Sequence, residues 1–140
     1  MSQENVEIVK RATEFLERRD SHGMTDLFDP NVELHGTVGG LEEDKILRGL
    51  SEIIRAFETE IDEVWDEHRI EPQEFIDAGD RVVVLQREYQ RSKSGAELVI
   101  DTASILDLRD GRIVRIQGYM DRAAALGAAG LPEQEVHADS

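Results

Sequence analysis

The sequence predicts an α+β domain, with helices in its first half and an antiparallel meander of strands after them. Two turn signals, Asp77-Ala78-Gly79-Asp80 and Arg109-Asp110-Gly111-Arg112, each divide runs rich in Val, Ile, Leu and Tyr. An Asp-Gly pair accepts the positive φ angles of a tight hairpin, so the flanking runs are antiparallel strands. The first half instead repeats its apolar residues at three- and four-residue spacing, the period of a helix.

Each element has a local reason. Ser2 caps the first helix, and Val6, Val9, Ala12 and Leu16 form its apolar face, widened by Ile8 and Phe15. The charged run Glu17-Arg18-Arg19-Asp20 ends it, and Met24, Leu27 and Phe28 suggest a short second helix. Asp29-Pro30-Asn31 breaks that helix ahead of a short strand, Val32-Glu33-Leu34-His35, and residues 36–48 read as a loop. The clearest helix runs from about Leu50 to Trp65, where Ile53, Phe57, Ile61 and Trp65 fall at intervals of four. Strands follow at about 68–77, 81–92, 96–109 and 112–120, with Ser92-Lys93-Ser94-Gly95 as a third turn. A short final helix spans Arg122 to Ala129, capped by Asp121 and stopped by Gly130.

The 140 residues fit one domain, taken as residues 1–131, with a polar tail at 132–140 expected to be disordered. Charged residues make up 34% of the chain and its net charge is −15, so phosphate backbones and anionic lipid repel it. Nucleic-acid and membrane binding are not expected. Cysteine is absent, which removes disulfides and thiolate chemistry. No secretory signal and no membrane-length apolar run is seen, so a cytoplasmic location is expected.

A two-residue Asp110-Gly111 loop fixes a register in which Leu108 pairs with Ile113, Leu106 with Arg115, Ser104 with Gln117 and Thr102 with Tyr119. This face, apolar near the turn and polar further on, is assigned to the concave side under the helices. The opposite, mostly apolar face then needs a cover, and a second subunit is the simplest one, giving a homodimer through the outer sheet face. A bulge would swap the two faces.

Three stretches, SQENVEIVKRA, RIEPQEFIDAGDRVVVL and LRDGRIVRIQGYMDRAAALGAAGL, make the chain similar to the SnoaL-like branch of the nuclear transport factor 2-like superfamily. The resemblance spans Ser2 to Leu131. It implies a cone in which a curved mixed or antiparallel sheet wraps the N-terminal helices around an internal pocket, usually in a dimer. Relatives include polyketide cyclases, ketosteroid isomerase, limonene epoxide hydrolase and dehydratases, so membership alone assigns no reaction. Where ketosteroid isomerase has its oxyanion Tyr and Asp, this chain has Ala12 and Ala103, and the base falls at Leu34 or His35. Where many relatives carry an aromatic residue and a His on the fourth strand, this chain has Thr102 and Ser104.

The candidate site residues each have a plain alternative. His35 titrates near working pH and ends the first strand near the expected pocket mouth, or is a partly exposed strand-end His. Glu33, on its face, orients it or is an exposed carboxylate. Tyr119 orients a ligand carbonyl or hydroxyl, or is a core aromatic. Arg115 anchors a carboxylate ligand, or pairs with Glu88 on the neighbouring strand. Gln117, Thr102 and Ser104 complete the polar patch. Asp121 aligns with the Asp of the family's recurrent Tyr-x-Asp-Arg segment, or simply caps a helix. Trp65 is core or a substrate platform, and His68 reaches either the pocket rim or the surface. No metal-ligand spacing and no phosphate loop is present, so no metal or other cofactor is expected. These residues suggest a pocket for a small, largely apolar organic molecule, serving cofactor-free acid/base catalysis or binding without turnover.

Overall fold

Every hairpin anticipated from an Asp-Gly or Ser-Gly turn is present in the computed structural model. It describes residues 2–18, 21–40 and 43–131, with side chains at all of these except 2, 16, 17, 21, 22, 57, 58 and 60–65. The tail expected from residue 132 lies outside the described residues. In order, the elements are α1 (Ser2–Arg18), α2 (Ser21–Met24), β1 (Phe28–Val38), β2 (Ile46–Arg48), α3 (Leu50–Val64), β3 (Trp65–Asp77), β4 (Arg81–Ser92), β5 (Glu97–Arg109), β6 (Arg112–Tyr119) and α4 (Arg122–Ala128). At the β5–β6 hairpin, Asp110 (φ 53°) and Gly111 (φ 78°) both take the positive φ of a two-residue turn.

The strands form one curved, unclosed six-stranded sheet in the order β2-β1-β6-β5-β4-β3. All neighbours are antiparallel except β1 and β6, which run parallel, so the sheet is mixed. Its concave face packs under α1 and α3. There Val6, Val9 and Ala12 of α1 and Leu50 and Ile53 of α3 meet Val82, Val84, Leu106, Leu108 and Ile113. Fully burying one such aliphatic side chain stabilises the fold by about 1.5–3 kcal/mol.

Four expectations are corrected in the first half. Phe28 starts β1 instead of ending a helix: its partner across the parallel ladder is Ile113, and it is 1% exposed. Asp29-Pro30-Asn31 is absorbed into a register shift in that strand, with Asn31 N–H donating to Asp29 Oδ1 at 2.8 Å. Within the stretch read as a loop, Ile46–Arg48 forms β2, antiparallel to β1 with His35 opposite Ile46. At the end of α3, Trp65 already belongs to β3, opposite Ser92.

A larger correction concerns the outer face. Its apolar strip, Val83, Leu85, Ala103 and Ile105, is covered by the chain's own α4 through Ala125 and Leu126. The need for a second subunit over that strip therefore disappears.

The β5–β6 register also departs from strict alternation. Leu108 pairs with Ile113 as anticipated, but Val114 is an extra residue, and Asp107 pairs with Arg115. Beyond this bulge Leu106 faces Ile116, Ile105 faces Gln117, Ser104 faces Gly118 and Ala103 faces Tyr119. One inserted residue reverses every later side chain. Ile116 therefore joins the concave core, while Arg115, Gln117 and Tyr119 turn to the outer face.

Candidate functional site

The concave face changes character along β4 and β5. Val82 and Val84 give way to Gln86 and Glu88, and Leu106 and Leu108 give way to Ser104 and Thr102, on the same face by the two-residue period. The pairing has no irregularity, so Gln86 stands opposite Thr102. Gln86 Nε2 donates to Thr102 Oγ1 at 3.2 Å, and Thr102 Oγ1 donates to Glu88 Oε2 at 2.5 Å. From β3, His68 brings Nε2 to 3.4 Å from Glu88 Oε1, with only 14% and 16% of the two side chains exposed. Ile70 and Ile100, in register on either side of Glu88, give this chain of polar groups an apolar frame.

Burial pushes the Glu88 carboxyl upward, but hydrogen bonds from His68 and Thr102 and the His68 charge outweigh it. Its pKa is held below the usual 4.5, so Glu88 is an anion at neutral pH. An imidazole against a buried carboxylate is a unit able to move a proton. Ser104 lies on the same face, opposite Gly118, where a Cβ would come within 2.8 Å of Thr37 Oγ1. Glycine there lets the Thr37 hydroxyl approach beside Ser104.

The anticipated site residues divide between the two faces. Thr102 and Ser104 lie on the concave face, whereas His35, Glu33, Arg115, Gln117 and Tyr119 lie together on the outer one. Leu34 faces the concave core, so its neighbours Glu33 and His35 must face outward. His35 Nε2 lies 2.9 Å from Glu33 Oε1, and Arg48 Nε donates to Glu33 Oε2 at 3.3 Å. Hydrogen bonds from His35 and then Arg48 lower the Glu33 pKa. Tyr119 packs beside Ala103 and Leu126 in the outer cluster. Arg115 makes no pair with Glu88, because β5 separates their strands and the bulge turns them to opposite faces.

Asp121 caps α4, accepting from Ala123 N–H at 3.0 Å. Next to it, Arg122 donates to the main-chain carbonyls of Gln86 (2.8 Å) and Thr102 (3.2 Å) and to Gln73 Oε1 (2.7 Å). From behind the sheet it thus fastens the backbone of two residues whose side chains form the concave chain. Trp65, expected as core or platform, has its side chain outside the described residues. Gln86 and Glu88 were not anticipated as site residues. The signal was available: they are the polar continuation of Val82 and Val84 at the same spacing.

A curved, unclosed mixed sheet packed under helices, with a polar patch on its concave face, defines an α+β class of domain. Residues 9–116 match the SnoaL-like domain, and the chain belongs to that family. Its solved neighbours include nuclear transport factor 2-like proteins. One, of unknown function, from Burkholderia pseudomallei, is 26% identical with a TM-score of 0.72, covering 91% of this chain and 97% of that one. TerC, co-crystallized with polyporic acid, is also 26% identical with a TM-score of 0.72, covering 91% and 98%. A protein with a ketosteroid isomerase-like fold from Catenulispora acidiphila, in complex with trimethylamine, is 18% identical with a TM-score of 0.68, covering 90% and 94%. Among curated proteins no significant match is found. Among the described residues no helix is long and apolar enough to cross a membrane.

Proposed function

We propose that the concave face receives a small, largely apolar organic molecule and that His68, held by Glu88, exchanges a proton with it. The observation that carries this reading is the buried chain Gln86–Thr102–Glu88–His68, a titratable pair at the polar end of an otherwise apolar face. In this reading Glu88 stays ionised and orients the imidazole, while Ile70 and Ile100 contribute to the apolar walls. The reaction class is cofactor-free acid/base chemistry: isomerisation, cyclisation, dehydration or hydrolysis. The polyporic acid co-crystallized with TerC supports a small organic ligand and makes polyporic acid the first probe.

A second reading is binding without turnover. It is favoured by the commitment of the Thr102 hydroxyl, which already accepts from Gln86 and donates to Glu88. The remaining partner is a second copy of the chain, in a homodimer through outer-face surface that α4 leaves open, including the half-exposed Val99. Sedimentation equilibrium tests that assembly.

The decisive experiment follows solvent deuterium exchange α to the carbonyl in a panel of cyclic ketones, together with polyporic acid binding. The catalytic reading expects exchange that falls about a hundredfold or more in His68→Gln, the usual range for loss of a general acid/base group. Saturable binding without exchange selects the binding module. Absence of both overturns the site.

A further inference from the structure

Five charged residues on five neighbouring strands stand in one registered row across the outer face: Arg48, Glu33, Arg115, Asp107 and Arg81. Their signs alternate, leaving one surplus positive charge within a chain of net charge −15. The two carboxylates are taken from the ends of the row. Glu33 pairs with Arg48 at 3.3 Å and Asp107 with Arg81 at 3.2 Å. Arg115, between them, pairs with neither. Its Nη2 donates to Gln117 Oε1 at 3.3 Å, and its buried Nε has no hydrogen-bond partner among the described residues. Gln117 offers no further relief, since its Nε2 donates to the carbonyls of Gly36 (2.6 Å) and Gly118 (3.3 Å).

Beside Arg115 lies a cavity of about 220 Å³ between the sheet and α4, lined also by Arg81, Ile105, Asp107, Gln117 and Tyr119. That is room for about seven waters at ~30 Å³ each, or for one small organic molecule. Arg81 Nη1 donates to the Ala128 carbonyl at 3.1 Å, tying the end of α4 to the edge of this cavity.

We propose that this outer-face cavity binds a small organic carboxylate, with Arg115 as its counter-ion. The half-buried Arg115 lines this cavity with no carboxylate in ion-pair distance among the described residues, and its planar guanidinium matches a carboxylate. Ile105 and Tyr119 line the cavity beside the guanidinium, where the body of the ligand would lie. Asp107, in the same cavity, disfavours a dianion such as phosphate. The site is separate from the concave one: it uses alternate residues of the same strands, pointing the other way, and stands whether or not the concave reading holds.

Benzoate titrated into the 15N-labelled protein tests this, with benzamide as the uncharged isostere and inorganic phosphate as the competing anion. Benzoate is expected to shift the amides of residues 105–107 and 115–119 saturably, with those of Gln86, Glu88 and Thr102 unmoved. Benzamide should not saturate, and Arg115→Gln should weaken benzoate by at least about tenfold. If that variant does not fold, the benzoate–benzamide difference on the unaltered protein decides. Equal binding of the two, displacement by phosphate, or no saturation by ~10 mM benzoate overturns the assignment.

Discussion

Replacing Thr102 by valine keeps the shape of the side chain and removes one hydroxyl, and the concave site makes that loss expensive. Thr102 is 1% exposed and its partner Gln86 is 8% exposed, so water cannot substitute for the missing group. The hydroxyl accepts from Gln86 Nε2 at 3.2 Å and donates to the Glu88 carboxylate at 2.5 Å. Losing a hydrogen bond to a charged group costs about 1.5–3 kcal/mol, and a stranded buried donor about 1–3 kcal/mol. The added methyl group returns about 0.8 kcal/mol of hydrophobic burial. The net expected destabilisation is about 2–5 kcal/mol, a fall in melting temperature of roughly 10–15 °C for a domain of this size. Urea unfolding of Thr102→Val, Gln86→Leu and the double variant measures it. Because the double variant no longer strands the amide, it should be about 1–2 kcal/mol more stable than the sum of the single effects. A Thr102→Val protein within about 0.5 kcal/mol of the parent, with additive effects, would refute the buried network.

Other expectations follow from the same geometry. Because the Glu88 pKa is lowered on folding, its contribution to stability is present above the usual 4.5 and is lost as pH falls through the lowered native value. Acid unfolding of Glu88→Gln should therefore show a weaker pH dependence below 4.5 than the parent, and an unchanged slope would show Glu88 titrating normally. Deleting Val114 removes the bulge while Arg115 stays opposite Asp107 and Ile116 opposite Leu106, so the later side chains keep their faces. The variant should keep the dispersed amide spectrum of a folded protein at a cost of about 1–3 kcal/mol, and loss of that spectrum would contradict Val114 as the extra residue. Arg122→Met removes the guanidinium that holds two carbonyls behind the site. It should cost about 2–4 kcal/mol by urea unfolding and speed amide exchange in residues 86–88 and 101–103.

Much of the architecture was legible because its signals are local. Val6, Val9 and Ala12 declared the buried face of α1, and Asp110-Gly111 declared both the hairpin and its first two pairs. The site was less legible because it depends on register. A strict two-residue period across Arg112–Tyr119 sends Arg115, Gln117 and Tyr119 to the wrong face. The warning lay in the adjacent apolar pair Ile113-Val114 and the three-residue spacing from Ile113 to Ile116, which suits a bulged strand. His68 and Glu88 are twenty residues apart and meet only through the β3–β4 pairing, itself shifted between Pro72 and Glu74. The segment Ile46–Arg48 was missed for a different reason. Three residues hold too little pattern to declare a strand, and only its pairing with β1 defines it.

The central claim is that the working surface of this domain lies on the concave side, around Thr102, Glu88 and His68. A screen of small organic fragments against the 15N-labelled protein tests it without presupposing the ligand. Saturable hits clustering on the amides of residues 68–70, 86–88 and 100–104 are the predicted result. Hits confined to the opposite side of the sheet, or a library that leaves those amides unmoved, would contradict it.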